Sequence, residues 1–326
     1  MWVNNIKISL CLITYNQPES VARFFELLAQ QATSAIELLI RDDSPNSKTQ
    51  EIVDFYISKL SIPVRYFKGE KSPTGAYDKA LLFLTEKAEG EYIWWFGDDA
   101  FAKDAISTVL SVLNRSENFA LVLINSSDIN NPLDKGLDIQ GDQIFNFPGE
   151  MFRINVGLLG FPSATILRRE LIAEKIKEAY KFVGTTLTGY YLVLAAITSI
   201  GAKSFYIQTP CLLSNPKPEG EARWYDSFTV HGINYTLISL DFADKIDRIS
   251  YRKGISDQYG RAWRAVIYER ALGYQTGFAA SSPKLANMIS LYWTYPEFYI
   301  AFPLMLMPRP LLRIMWKIYK KSSRHK

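Results

Sequence analysis

Short apolar runs recur along the N-terminal third of the chain, and each ends in small polar or acidic residues. Ile6-Lys7-Ile8-Ser9-Leu10-Cys11-Leu12-Ile13 leads into Thr14-Tyr15-Asn16, a strand closing in polar groups. Pro18 suits the first turn of a following helix, where Val21, Phe24, Phe25 and Leu28 recur at helical spacing and define one apolar face. A second run, Ile36-Glu37-Leu38-Leu39-Ile40-Arg41, ends in Asp42-Asp43, followed by the turn formers Ser44, Pro45 and Asn46. A third, Tyr92-Ile93-Trp94-Trp95-Phe96, is wholly aromatic or β-branched and predicts a fully buried strand. Gly97 then allows a tight turn into Asp98-Asp99. Strand, helix, strand, helix, strand, with polar clusters at the strand ends, predicts an α/β fold on a mostly parallel sheet. Ligands of such sheets bind beyond the carboxyl ends of the strands.

Downstream the pattern is coarser. Phe119 to Ser126 predicts a strand, Asn130 to Gly149 a polar loop, and Ser163 to Leu167 another strand. Arg169 to Tyr180 predicts a charged helix, Leu187 to Ile200 a short buried one, and Lys203 to Leu213 a late strand. From Asp226 onward the pattern is helical, with breaks expected near Gly254 and around Ser281-Ser282-Pro283.

Two neighbouring carboxylates repel each other unless a cation lies between them or water separates them. A lone Asp-Asp pair is also what a solvated turn carries. Two such pairs at the ends of successive strands favour a site instead. A hard divalent ion, Mg²⁺ or Mn²⁺, held by one or two carboxylates and substrate phosphates, relieves the repulsion at Asp98 and Asp99. With two histidines in the chain, a histidine-rich metal centre is excluded and oxygen ligands remain.

Ile13-Thr14-Tyr15-Asn16, then Asp42-Asp43-Ser44, then Gly75, then Gly90-Glu91-Tyr92-Ile93 running into Gly97-Asp98-Asp99, resembles the family 2 glycosyltransferases of GT-A fold. The Gly-Asp-Asp form is similar to abequosyltransferase-like members, which act on O-antigen and other surface polysaccharides. The resemblance covers about the first third of the chain strongly and reaches more faintly toward residue 225. It implies a Rossmann-like GT-A domain over residues 1–225; beyond it the residue pattern predicts a helical region over 226–296 and an amphipathic basic, membrane-associating tail over 297–326. The resemblance also implies a nucleotide-diphospho-sugar donor, a glycan or lipid-linked acceptor, and transfer of a single sugar.

On that resemblance Asp99 and Asp98 hold the metal, and Asp98 also meets the donor. Asp42 or Asp43 accepts a hydrogen bond from the base, and Thr14, Tyr15 and Asn16 border the base or ribose. Gly75 and Lys79, with Lys71, lie in the loop that faces the diphosphate; Pro73 stands where relatives carry Asn, two residues before the glycine. Relatives supply a general base at the head of a late helix, aligned with Thr185 to Tyr190, where this chain has no acid. Asp226 is the candidate in its place, with Glu219, Glu221 and His231 as alternatives, and Trp224 and Tyr225 beside it form an aromatic platform for the acceptor sugar. Gln258-Tyr259-Gly260-Arg261-Ala262-Trp263 approaches the Gln-x-x-Arg-Trp signature of processive synthases but has one residue too many before the tryptophan. The alternatives are a sugar-phosphate nucleotidyltransferase, whose Gly-rich basic loop after the first strand is missing here, and a scaffold that keeps the fold without turnover.

Composition, the chain start and the distribution of charge sharpen this picture. Cys11 and Cys211 both lie in apolar runs, which suits core positions and a reducing compartment. Met1 to Asn5 lead straight into the first strand without a signal-peptide pattern. The chain carries a net +4; the seven basic residues from Arg309 onward, unaccompanied by any acid, account for +7 and leave −3 for the rest. An acidic body argues against nucleic-acid binding, while the tail sets Arg313, Lys317, Lys320, Lys321 and Arg324 against Leu311, Leu312, Ile314, Met315, Trp316, Ile318 and Tyr319 on a helix. Such a helix predicts an in-plane anchor on an anionic membrane surface, each basic residue near the leaflet contributing about 1 kcal/mol. The expectation is a peripheral enzyme on the cytoplasmic face of the inner membrane.

Overall fold

The computed structural model describes residues 6–70, 75–97, 99–128, 131–137, 139–214, 229–272 and 283–323. The chain divides into two compact units, residues 1–151 with 158–217, and residues 152–157 with 218–326.

The first unit is built on one sheet. Its strands are β1 (Ile8–Thr14), β2 (Ile36–Asp42), β3 (Val64–Lys68), β4 (Tyr92–Phe96), β5 (Ala100–Phe101), β6 (Leu121–Asp128), β7 (Asn131–Lys135), β8 (Gln143–Phe145), β9 (Thr165–Arg168) and β10 (Ser204–Ser214). They run in the order β3-β2-β1-β4-β9-β6-β10-β5, with β7 on β6 and β8 on β10. The β3-β2-β1-β4 half is parallel throughout, so its carboxyl ends share one edge. Beyond it the sheet is mixed: β9 lies antiparallel between β4 and β6, and β10 parallel to β6. Helices α1 (Pro18–Ala29), α2 (Lys48–Ile57), α3 (Ala76–Lys87) and α4 (Ala105–Leu113) are the crossovers and flanks. Val21, Phe24, Phe25 and Leu28 of α1 are buried, as the helical spacing requires.

All five residues of β4 are buried, and their rings interlock with neighbours: Phe24 meets Phe96 at 5.2 Å and Phe101 at 4.9 Å. Two indoles in that strand need partners for their N–H groups. Trp95 donates to the Thr85 hydroxyl at 3.0 Å, and Trp94 to the Ser163 carbonyl at 2.8 Å. Cys11 and Cys211 are buried, and burial pushes both thiols upward, Cys211 to about 12.

Two sequence expectations change in this unit and a third, the short buried helix, holds. The polar stretch 130–149 contains β7 and β8, which add to the sheet because β6 and β10 offer them backbone donors and acceptors. The charged helix at 169–180 is a series of short α and 3₁₀ turns that buries Ile172, Ile176 and Ala179. The Leu187–Ile200 segment is the helix Thr188–Ile197, every residue of which is buried.

The second unit contains the helices Tyr235–Leu240, Arg248–Leu272, Pro283–Tyr292, Pro296–Leu306 and Arg309–Ser323. The expected break at Gly254 does not occur. The long helix runs through it, and a Cβ there would stand 2.6 Å from the Phe152 ring, so the glycine permits close packing instead. No single helix among the described residues is long and apolar enough to cross a membrane. Pro296–Leu306 and Arg309–Lys317 satisfy length and composition only as a pair, bent by 111°.

Candidate functional site

The carboxyl edge of the parallel half gathers the residues singled out in the sequence. Thr14, Asp42 and Lys68 stand side by side in register across β1, β2 and β3. Asp42 is fully buried, and its carboxylate accepts hydrogen bonds from the Ser44 backbone N–H (2.9 Å), the Tyr66 hydroxyl (2.7 Å) and Lys68 Nζ (2.9 Å). Burial pushes this carboxyl upward, but the bonds from Ser44, Lys68 and Tyr66 outweigh it and hold the group below the ordinary carboxylate value. Asp42 is thereby a tie between β2 and β3.

Asp43, one residue further along, is positioned by Arg41, whose Nε donates to Oδ1 at 2.6 Å. The guanidinium also lies 5.0 Å from the Phe83 ring centroid. Gly69 makes this pair possible: a Cβ at that position would fall 1.9 Å from Arg41 Nη2 and 2.3 Å from Asp43 Oδ1. The turn after β1 is fastened to the turn after β2. Asn16 adopts φ +54°, a region Asn tolerates better than most side chains, and its N–H donates to Ser44 Oγ at 2.7 Å. Tyr15 beside it is exposed, while the Thr14 hydroxyl is buried and has no hydrogen-bond partner among the described residues.

At the end of β4, Asp99 is buried, and Ser163 Oγ donates to its Oδ2 at 2.6 Å. Strand direction explains the pairing. β9 runs antiparallel to β4, so the 3₁₀ turn Pro162–Ala164 that precedes β9 arrives where β4 ends. Trp94 of β4 holds the Ser163 carbonyl, so the same strand that ends near Asp99 also orients its hydrogen-bond donor. Ser163 was hidden in the sequence inside an expected strand.

Gly75 caps α3 at φ +62°, and a Cβ would stand 2.5 Å from Val183 and 2.8 Å from the Gly184 nitrogen. The glycine is thus where the 183–188 segment closes on α3. Asp78, three residues on, completes that closure. Its Oδ2 accepts from the N–H groups of Gly184 (2.7 Å) and Thr186 (2.9 Å), and its Oδ1 from Thr188 N–H (3.3 Å) and Oγ1 (3.0 Å). Burial pushes the Asp78 carboxyl upward, only partly opposed by the bonds from Thr186, Gly184 and Thr188. Thr186 is held at φ +66°, unusual for a β-branched residue. Nothing in the sequence singled out Asp78, which fell within the expected polar loop ending at Lys79. Lys79, its neighbour, is exposed.

Asp98, Trp224, Tyr225 and Asp226 lie outside the described residues, as do Lys71, Pro73, Glu219 and Glu221. Among the described residues, no group of three or more His, Cys, Asp or Glu side chains converges as a metal cluster.

Residues 9–176, half of the chain, match the profile described as Glycosyl transferase family 2. The chain belongs to that family. It is 24% identical over 259 residues to abequosyltransferase RfbV of Salmonella typhimurium, covering 73% of this chain and 76% of that one. Among solved structures it resembles S. aureus TarS 1–349 with a TM-score of 0.63 at 15% identity, over 94% of this chain and 86% of the other. The mannosyltransferase PcManGT of Pyrobaculum calidifontis, solved with GDP-Man and Mn²⁺, gives 0.51 at 12% identity, over 92% and 84%. These likenesses describe the fold, which in this family 2 glycosyltransferase is GT-A-like: a mixed sheet flanked by helices, with a helical C-terminal region.

Proposed function

We propose that this glycosyltransferase moves one sugar from a nucleotide-diphospho-sugar onto a lipid-linked or growing glycan acceptor in surface-polysaccharide synthesis. The observation that carries the reading is Asp99, held by Ser163 at the carboxyl end of β4, on the edge where Thr14, Asp42 and Asp43 end β1 and β2. The likeness to RfbV, an abequosyltransferase by name, and to TarS, which has been solved with UDP-GlcNAc, supports a nucleotide-sugar donor.

The donor set suits Mg²⁺ or Mn²⁺ bound in the one-or-two-carboxylate mode, completed by donor phosphates, which needs no three-residue protein cluster. Asp99, with Asp98, would hold the ion. When bound, it supplies Lewis-acid stabilisation of the charge that grows on the departing diphosphate. The chain's own residues do the rest. Ser163 keeps the Asp99 carboxylate oriented, and the Arg41–Asp43 pair presents a fixed acceptor edge to the base. Asn16 and Ser44 lock the two turns between which the nucleoside sits. Asp226 remains the candidate base, with Trp224 and Tyr225 as the acceptor platform and Gly75 and Lys79 on the diphosphate side. The basic tail places the enzyme peripherally on an anionic leaflet at the cytoplasmic face, where a lipid-linked acceptor is presented.

The test uses purified protein with a panel of nucleotide-sugars and Mn²⁺ or Mg²⁺, reading nucleoside diphosphate release and thermal stabilisation by nucleoside diphosphates. Wild type is expected to release product and Asp99→Ala to lose turnover while keeping its melting temperature within a few degrees. Full turnover in Asp99→Ala overturns the role of Asp99. Folded wild-type protein that neither binds nor hydrolyses any donor supports the scaffold instead.

A further inference from the structure

The helix Arg309–Ser323 carries two apolar stripes, of which the protein covers one. Leu312 is buried, and Trp316, one turn later, meets Tyr268 of the long helix edge-on at 4.8 Å between ring centroids. Arg313 Nε donates to the Ala271 carbonyl at 3.2 Å and fixes the same approach. The second stripe, Leu311, Ile314 and Met315, repeats at intervals of three and one and faces away. These side chains are 49%, 54% and 46% exposed. Ile318 continues it in sequence. In the preceding helix, Phe298, Ala301 and Met305 are buried while Tyr299 and Ile300 are 65% and 66% exposed.

We infer that the Leu311-Ile314-Met315 stripe inserts into the acyl region of an anionic bilayer while the Leu312-Trp316 stripe keeps the helix fastened to the protein. This deepens the proposed membrane placement and rests on it. Charge identifies the occupant: from residue 283 onward the chain has one acid, Glu297, against eight Lys and Arg residues. A protein partner of ordinary mixed surface would not require so one-sided a balance, whereas an anionic leaflet does. The helix has three faces, a domain face with Arg313 at its border, an apolar face and a basic face bearing Arg309 and Lys317. An interfacial helix lies in the leaflet plane with its apolar side a few ångströms below the headgroups. The 111° bend between Pro296–Leu306 and Arg309–Lys317 leaves neither helix long and apolar enough to cross a bilayer by itself.

The test is co-sedimentation of the full chain with vesicles of phosphatidylcholine alone or mixed with phosphatidylglycerol, comparing wild type with Ile314→Ser/Met315→Ser and with Arg309→Gln/Lys317→Gln. Wild type is expected to bind the anionic vesicles, and the serine variant to lose roughly 30-fold in partitioning, from two apolar side chains no longer buried. The glutamine variant should lose binding less steeply and chiefly at low salt. Because all four positions are exposed, melting temperature and donor binding should be unchanged in both variants. Unchanged binding of the serine variant overturns insertion but leaves surface placement standing. Failure of wild type to bind anionic vesicles overturns both.

Discussion

Replacing Asp78 with Asn tests how the start of α3 is joined to the segment before the Thr188–Ile197 helix. The carboxylate is inaccessible to solvent and accepts four hydrogen bonds, two on each oxygen, all from donors. Asparagine has the same shape but one acceptor oxygen. Whichever way its amide turns, an NH₂ group faces either Gly184 and Thr186 or Thr188, and two bonds are lost. A buried bond to a charged group contributes about 1.5–3 kcal/mol, and a stranded donor costs about 1–3 kcal/mol. The donors left facing the NH₂ group are backbone and hydroxyl groups within a closed segment, so partial relaxation is expected. A destabilisation of about 3–5 kcal/mol follows, or roughly 6–20 °C in melting temperature for a unit of this size. Circular dichroism melts and urea titrations of wild type and Asp78→Asn measure it. A double-mutant cycle with Thr188→Val should show coupling of about 1 kcal/mol, since Thr188 Oγ1 is one of the four donors. A melting-temperature change under about 2 °C with zero coupling would refute the assignment of Asp78 as the clasp.

Ser163→Ala should lower turnover about tenfold at a stability cost near 1 kcal/mol, and Ser163→Thr should restore part of the turnover, because only the hydroxyl to Asp99 is at stake. Steady-state transfer assays across a metal titration decide it, and equal turnover in Ser163→Ala would remove Ser163 from the site. Gly69→Ala should push the Arg41 guanidinium off Asp43, weakening nucleoside diphosphate binding severalfold by calorimetry while costing about 1 kcal/mol or less in stability; unaltered affinity would take Asp43 out of donor recognition. Asp42 is held below its ordinary value, so the stability it contributes is present above the unfolded-state value and is lost as pH falls through the lower folded-state value. Urea midpoints measured as the pH is lowered should therefore drop less steeply for Asp42→Asn than for wild type, and parallel curves would contradict the assignment.

Much of the site's acidic framework was readable because strand ends announce themselves. Apolar runs set β1, β2 and β4, interrupted within the strands only by Ser9, Glu37 and Arg41, and acidic residues gather where β2 and β4 end. Thr14, Asp42, Asp43 and Asp99 were placed at or just beyond strand ends on that logic, which is where they lie. Ser163 and Asp78 were not, because each acts on residues 64 and more than 100 positions away in sequence, and local periodicity carries no information about such partners. The same limit explains Gly254. A glycine in a helical pattern reads as a break, and only the Phe152 ring against it shows why the helix continues.

The order of apolar and polar residues by itself determined a parallel core with acids at its carboxyl edge and a basic, amphipathic tail, since burial and solvation act on every residue locally. Tertiary structure decided which groups meet. It made Asp42 a buried tie rather than an open acceptor, gave Asp99 its serine through an antiparallel strand, and covered one apolar stripe of the last helix while leaving the other exposed. Those outcomes depend on strand direction and on contacts between distant segments, which come into being only when the chain closes on itself.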